Sequence, residues 1–182
     1  MQYIKNKINY FKLFKISQNF YINKKLLKKN FYKLQIKYHP DKINKNFFNI
    51  LDKKINSQNI NKGYQILKND FKRAKYLLLL IAKKKIIKKT VNQKILIKQF
   101  ELYEKIEHFK NLKNNFQKIL IFILNLKKKI KKYFIKVNIE FEKKNILKIQ
   151  NILHKLFFLK KILKKINFIY NKKKTDLIIL KK

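Results

Sequence analysis

Apolar residues recur at helical spacing along almost the whole of this chain. Asn9 to Ile16 (NYFKLFKI) is a short apolar segment, enough for one or two helical turns. Leu27, Phe31, Leu34 and Tyr38 then follow at i, i+4, i+7 and i+11, one stripe of an amphipathic helix. Lys25, Lys29 and Lys33 repeat every fourth residue on the other side and face water. Asn23 suits the N-cap of this helix, because its side-chain oxygen can accept an amide of the first turn. The helix must close near His39, since the Pro40 ring disfavours helical geometry in the residue before it. Residues 41–46 read as a loop. A third helix is predicted from near Phe47 to about Leu67, with Ile60, Gly63, Tyr64 and Leu67 at helical spacing in its second half. A break at Lys68-Asn69-Asp70 precedes an apolar helix from Phe71 to Ala82.

The basic stretch 83–89 lacks a clear stripe and marks a boundary. It divides the chain into a first domain at 1–82, a linker at 83–91 and a second domain at 92–182. The second domain carries three long amphipathic segments at about 92–110, 113–136 and 140–172. Their short connections predict antiparallel neighbours in a three-helix bundle. No strand-like alternation competes, and one Gly and one Pro leave little from which to build tight turns. The fold class expected is all-α.

Composition narrows the function. Apolar residues make up 46% of the chain, too many for a disordered protein and enough for a real core. The absence of cysteine excludes disulfides, thiol catalysis and Cys-based zinc sites. Three scattered histidines, His39, His108 and His154, do not suggest a metal site. No Gly-rich phosphate loop, nucleophile–base pair or carboxylate cluster around a histidine points to an enzyme or to a bound cofactor. The formal charge of +40 would suit nucleic acid or an anionic membrane. Lys, Asn, Ile, Phe and Tyr are, however, the residues of AT-rich codons, and a compositional drift accounts for most of the charge. Arg73 is the only arginine, whereas phosphate readers favour the planar guanidinium fork. A basic helical nucleic-acid-binding protein is therefore the rival reading. It requires aromatic–basic interleaving on one face, while the aromatics here fall mainly on apolar stripes. Lysines at 5, 7, 12 and 15 interrupt any apolar leader, and the run Ile119 to Leu124 is too short to span a bilayer. A soluble cytoplasmic protein is expected, with neither membrane nor nucleic acid as partner.

The sharpest motif is His39-Pro40-Asp41-Lys42 at the end of an amphipathic helix, preceded by Tyr38 and followed by Ile60-Asn61-x-x-Tyr64-x-x-Leu67. This combination resembles the J-domain, in which an antiparallel helix pair presents the tripeptide in its connecting loop. The resemblance implies that His39, Pro40 and Asp41, with Lys42, engage an ATPase chaperone of the DnaK/HscA type and trigger ATP hydrolysis. The residue chemistry is compatible with such docking. Pro40 fixes its φ and reduces the entropy lost on binding. Asp41 offers a charged acceptor, and His39 can both donate and accept. Lys25, Lys29 and Lys33 would steer the helix toward an acidic patch on the chaperone.

Two further segments narrow the family. Residues 70–80 read Asp-Phe-Lys-Arg-Ala-Lys-Tyr-Leu-Leu-Leu-Leu, similar to the segment that follows the J-domain in HscB-type co-chaperones. Arg73 lies in it beside one of only two alanines and is expected to be architectural. On the next helix Ile95, Leu102, Ile106 and Phe109 form a core stripe, while Leu96, Ile97 and Phe100 fall on another side with Glu101 and Glu104. Three of the nine acids lie within Glu101–Glu107, a local departure from a basic background. The order Leu-Ile-x-x-Phe-Glu-x-x-Glu resembles the HscB pattern, whose C-terminal bundle binds an iron–sulfur scaffold of the IscU type. Carried over residue by residue, this selects Leu96, Ile97, Phe100, Glu101, Glu104 and Phe158, with Phe157 as a rival for the last. No Gly/Phe-rich or Cys-rich region follows the J-domain, which disfavours a general DnaJ-type co-chaperone. A J-protein that lacks an iron–sulfur client remains an alternative. One departure stands out: Ile36 is apolar on the outward face of the helix before His39, where a polar or basic residue is expected.

Overall fold

A computed structural model describes residues 8–38, 57–82, 93–111 and 116–179, with the side chains at 94, 95 and 177–179 left aside. These residues form seven helices: α1 (Tyr10–Leu13), α2 (Lys24–Lys37), α3 (Ser57–Lys68), α4 (Asp70–Ala82), α5 (Gln93–Asn111), α6 (Phe116–Glu142) and α7 (Ile146–Ile179). No strand occurs among the described residues. The chain divides into two compact units, Met1–Lys83 and Lys84–Lys182. The expected start of the third helix near Phe47 and the proposed linker 83–91 lie outside the described residues.

In the first unit α1 is a single turn, too short to persist in water by itself. Local and tertiary bonds hold it. The Asn9 side chain accepts the amides of Phe11 and Lys12. At the other end the Ile16 amide donates to the Phe11 carbonyl and the Lys15 amide to that of Lys12, both at 3.0 Å. This double closure requires a left-handed residue, and Lys15 supplies it with φ 49°. The Tyr76 hydroxyl accepts from the Tyr10 amide at 3.0 Å and donates to the Ile8 carbonyl at 3.2 Å. Phe11 and Phe14 are buried. Gly63 on α3 makes that approach possible: a Cβ there would lie 2.5 Å from Cδ1 of Tyr10 and 2.9 Å from Cε2 of Phe14.

Helices α2 and α3 pack face to face. Leu27 and Tyr38 are buried, and the Phe31 ring stacks on Tyr64 with centroids 4.0 Å apart. The Gln35 amide donates to Asn61 Oδ1 at 2.8 Å, and the Asn30 amide donates to the Phe14 carbonyl at 2.7 Å, satisfying an acceptor at the end of α1. Asn23 caps α2 by accepting from the Leu26 amide, as its position predicts.

Arg73 joins three segments. It is buried, and its guanidinium donates to the Phe20 carbonyl, to the Leu67 carbonyl at the end of α3 and to the Asp70 carboxylate. The Phe20 ring lies under the charge, 5.2 Å from ring centroid to guanidinium carbon. Asp70 also meets Lys24 Nζ at 2.9 Å, so the start of α2 is tied to the start of α4. Asn69 caps α4 by accepting from the Phe71 and Lys72 amides.

In the second unit α6 and α7 form a long antiparallel hairpin, with α5 laid along it. Ile106 of α5, Ile119, Ile123 and Leu126 of α6, and Leu159, Ile162, Ile166 and Ile169 of α7 form one buried cluster. Leu102 and Phe109 pack against it, as the stripe predicts, while the Ile95 side chain is outside the described set. The hairpin turn differs from expectation. The break falls at 143–145, not at 137–139, where Val137 is fully buried and the helix runs on. It is made without Gly or Pro. Lys144 adopts φ 52°, its amide donates to the Phe141 carbonyl, and the Asn145 amide donates to that of Glu140. Asn145 then caps α7 by accepting from the Lys148 amide. One residue thus closes a helix and opens the next.

Left-handed geometry disfavours any residue with a Cβ by about 1–2 kcal/mol. Lys144→Gly is therefore expected to raise the unfolding free energy by about 1 kcal/mol. Gly63→Ala should lower it by about 1–3 kcal/mol, because overpacking against Tyr10 outweighs the gain in helix propensity. Urea denaturation of the full chain reads both changes, and a stabilising Gly63→Ala would contradict the packing. For Asp70, burial alone would raise the carboxyl. The hydrogen bonds and charges of Lys24 and Arg73 outweigh it and hold the carboxyl below the usual carboxylate range. Its contribution to stability is fully present above the unfolded carboxylate range and is lost as pH falls through the lowered value. Asp70→Asn is expected to flatten the acid limb of a pH–stability curve, measured by denaturation at stepped pH.

Candidate functional site

Two surfaces were expected to carry function, one in each unit. On the first, α2 presents Lys25, Lys29 and Lys33 to solvent, all exposed on the side away from Leu27 and Tyr38. The helix ends at Lys37 with Tyr38 as its cap, so the chain reaches His39 where the proline argument places the stop. His39, Pro40, Asp41 and Lys42 themselves lie outside the described residues. The hairpin that would present them is defined by the Phe31–Tyr64 stack and the Gln35–Asn61 hydrogen bond.

On the second surface the helical wheel of α5 separates as read. Ile106 is fully buried, whereas Leu96, Ile97 and Phe100 are 40%, 53% and 59% exposed. Glu101 and Glu104 are exposed on the same helix. These apolar side chains are therefore available to a partner and contribute little to the core.

Phe158 occupies a different environment from Phe100. It is partly buried against the bundle core, and its ring meets Tyr103 edge-on at a centroid distance of 5.6 Å. Phe157 points outward, 49% exposed, with Lys161 Nζ 5.7 Å from its ring centroid. The structure thus separates the two candidates: one phenylalanine joins α7 to α5 and the other is half exposed. Lys165 adds to the α5–α7 seam. Its Nζ donates to Glu107 at 2.8 Å and lies 5.4 Å from the Tyr103 ring centroid. Hydrogen bonding by Lys165, with the charges of Lys110 and Lys165, lowers the Glu107 carboxyl from its ordinary value. Of the three acids in the cluster, Glu107 is already engaged within the bundle, which leaves Glu101 and Glu104 as those offered outward. Tyr103 and Lys165 were missed in the sequence because their partners are far along the chain; Lys165 and Glu107 are 58 residues apart.

Aromatic placement corrects one expectation. Phe11, Phe14 and Phe71 are core residues as their segments suggest, and Phe20, outside any helix, is buried too, but Phe168 and Tyr21 are 70% and 58% exposed. Among the described residues there is no group of His, Asp or Glu side chains placed to hold a metal ion. No described helix is long and apolar enough to cross a membrane.

Known proteins share this architecture. The DnaJ domain family matches residues 9–76. The Co-chaperone protein HscB of Buchnera aphidicola subsp. Acyrthosiphon pisum is 41% identical over 171 residues, covering 85% of this chain and 91% of that protein. The HscB homolog of Psychromonas ingrahamii is 43% identical over 74 residues, 40% of this chain and 44% of its own length. Among solved structures, chaperone HscB from Vibrio cholerae superposes with a TM-score of 0.75 at 25% identity, covering 91% of this chain and 99% of that one. Human co-chaperone protein HscB gives a TM-score of 0.73 at 22% identity over 90% of this chain and 83% of its own, a likeness of fold. A J-domain hairpin followed by an all-α bundle defines the class as a J-domain co-chaperone. Identity extending across both units carries the assignment further: the chain belongs to the HscB co-chaperone family.

If the outward face of α5 is an interface and not core, Phe100→Ala should change unfolding free energy by no more than about 0.5 kcal/mol. Ile106→Ala should cost about 2–5 kcal/mol. Denaturant titration of the two variants checks this, and a large loss for Phe100→Ala would return that residue to the core.

Proposed function

We propose that this protein stimulates the ATPase of a DnaK/HscA-type chaperone and delivers an IscU-type iron–sulfur scaffold to it, for cluster transfer and maturation of iron–sulfur proteins. The observation that carries the reading is the exposed apolar and acidic face of α5, in a chain of the HscB family. Leu96, Ile97 and Phe100 expose aliphatic and aromatic surface without serving the core, which is the expected form of a binding anchor. Glu101 and Glu104 beside them favour a partner surface with basic groups at its rim. Phe158, braced by Tyr103, extends the apolar strip onto α7.

The first domain, taken as residues 1–82, supplies the other half of the mechanism. Lys25, Lys29 and Lys33 bring α2 onto an acidic region of the chaperone, and Lys42 extends that charge past the helix end. His39-Pro40-Asp41 then makes the contact that triggers hydrolysis. Pro40 limits the loop entropy lost, and Asp41 accepts from a basic group of the chaperone. The linker 83–91 joins this domain to the bundle at 92–182, so that one protein holds client and ATPase together and raises their effective concentration. The cluster is cargo of the scaffold. The protein itself holds no metal or cofactor and acts as a regulator of another protein's hydrolysis, not as an enzyme, in the cytoplasm.

ATP turnover by the cognate chaperone, with and without scaffold, tests both halves. Wild-type protein is expected to stimulate turnover most when scaffold is present, and Asp41→Asn to abolish the effect. Phe100→Ala should weaken scaffold binding by about 2 kcal/mol or more if it is a central anchor. Stimulation that ignores the scaffold would keep the J-domain function and remove the iron–sulfur client.

A further inference from the structure

The solvent face of α2 is not uniformly basic. Tyr32 and Ile36, one helical turn apart, stand within it and are 54% and 63% exposed. Lys25, Lys29 and Lys33 are exposed around them, and Lys28 Nζ lies 5.8 Å from the Tyr32 ring centroid. Neither apolar side chain is part of the buried core, whose contribution from this helix comes through Leu27 with Tyr38 at its cap. The stack on α3 is made by Phe31 on Tyr64. An isoleucine left in water beside a tyrosine, in the middle of a lysine row, is surface that only a partner can bury.

We propose that Tyr32 and Ile36 form an apolar contact at the centre of the chaperone-docking face, and that the complementary surface on the ATPase chaperone is an apolar recess rimmed by carboxylates. This rests on the reading that α2 docks on such a chaperone. The surrounding lysines fix the sign of the partner surface as acidic. A patch of carboxylates alone would be a poor match, because pressing Ile36 and the Tyr32 ring onto it would strip water from the carboxylates and return no hydrogen bond. Charge at the rim and apolar surface at the centre removes that conflict. The two parts then act on different quantities. Exposed lysine–carboxylate contacts raise the encounter rate and weaken with salt. The apolar pair governs how long the complex lasts and is indifferent to salt. The Lys28 ammonium restricts the Tyr32 ring before docking, which reduces the entropy lost on binding.

The test uses the full-length protein and the cognate DnaK-type chaperone, titrated for ATPase stimulation at low and high salt. Ile36→Ala and Ile36→Lys are expected to raise the half-stimulating concentration by about tenfold at both salts, with maximal turnover unchanged because the tripeptide is intact. Lys29→Ala should raise it at low salt only. Ile36 is exposed, so circular dichroism and unfolding midpoint should match wild type, and a normal fold makes the comparison decisive. Ile36→Lys stimulating at the wild-type concentration, or below it, would overturn the apolar contact and leave α2 as a purely electrostatic docking face. Absence of stimulation by the wild type, with a chaperone that responds to another J-domain protein, would instead overturn the docking reading itself and this inference with it.

Discussion

Arg73 is the constraint on which the first unit depends. A buried guanidinium is costly to desolvate unless all of its charge is met, and here it is met by two backbone carbonyls and one carboxylate. Those acceptors come from the segment after α1, the end of α3 and the start of α4. The same bonds that satisfy the charge therefore set the position of three separate pieces of chain. The Phe20 ring beneath the guanidinium adds a face that lysine could not use as well. In a chain whose other cationic side chains of this kind are all lysine, the single arginine stands where a planar fork with several acceptors is needed.

From that fixed corner the working surfaces follow. Asp70 passes the restraint to Lys24 and hence to α2, whose far end leads into the His39-Pro40-Asp41 tripeptide. The inner side of α2 is committed to the core and to α3, which leaves Lys25, Lys29, Lys33, Tyr32 and Ile36 on the surface, outside the packed core. In the second unit a comparable division operates on α5. Ile106 anchors the helix in the core, and Leu96, Ile97 and Phe100 are turned out beside two glutamates. Each proposed interface lies on a regular helix whose opposite face is packed, so side chains are placed by the scaffold and not by loops.

Much of this was legible in the sequence. Periodicity gave α1, α2, α4 and the described half of the third helix, Asn23 its cap, and the spacing on α5 the separation of core from outward residues. The limits were physical. No Gly or Pro marks the turn between α6 and α7, which is made by a lysine in left-handed geometry; its one residue-type signal is Asn145, an N-cap among many asparagines. The helix was accordingly expected to stop before Val137, which is buried within it. Phe157 and Phe158 are one residue apart with the same side chain, and only the neighbouring helix distinguishes them through Tyr103. The ion pair between Glu107 and Lys165 depends on how α5 and α7 are aligned, which periodicity alone does not give.

The turn at Lys144-Asn145 also bears on the order of folding. It joins two long helices through three residues, so the contacts nearest the turn close small loops and lose little chain entropy, and the rest can follow along the hairpin. Arg73 must instead find the Phe20 carbonyl across 53 residues of sequence. During synthesis the first unit emerges ahead of the second, yet its Arg73–Phe20 contact spans far more chain than the contacts beside the α6–α7 turn. The α6–α7 hairpin, made later, has the topology to form quickly, and the slower closure in the first unit has the translation of the second in which to complete.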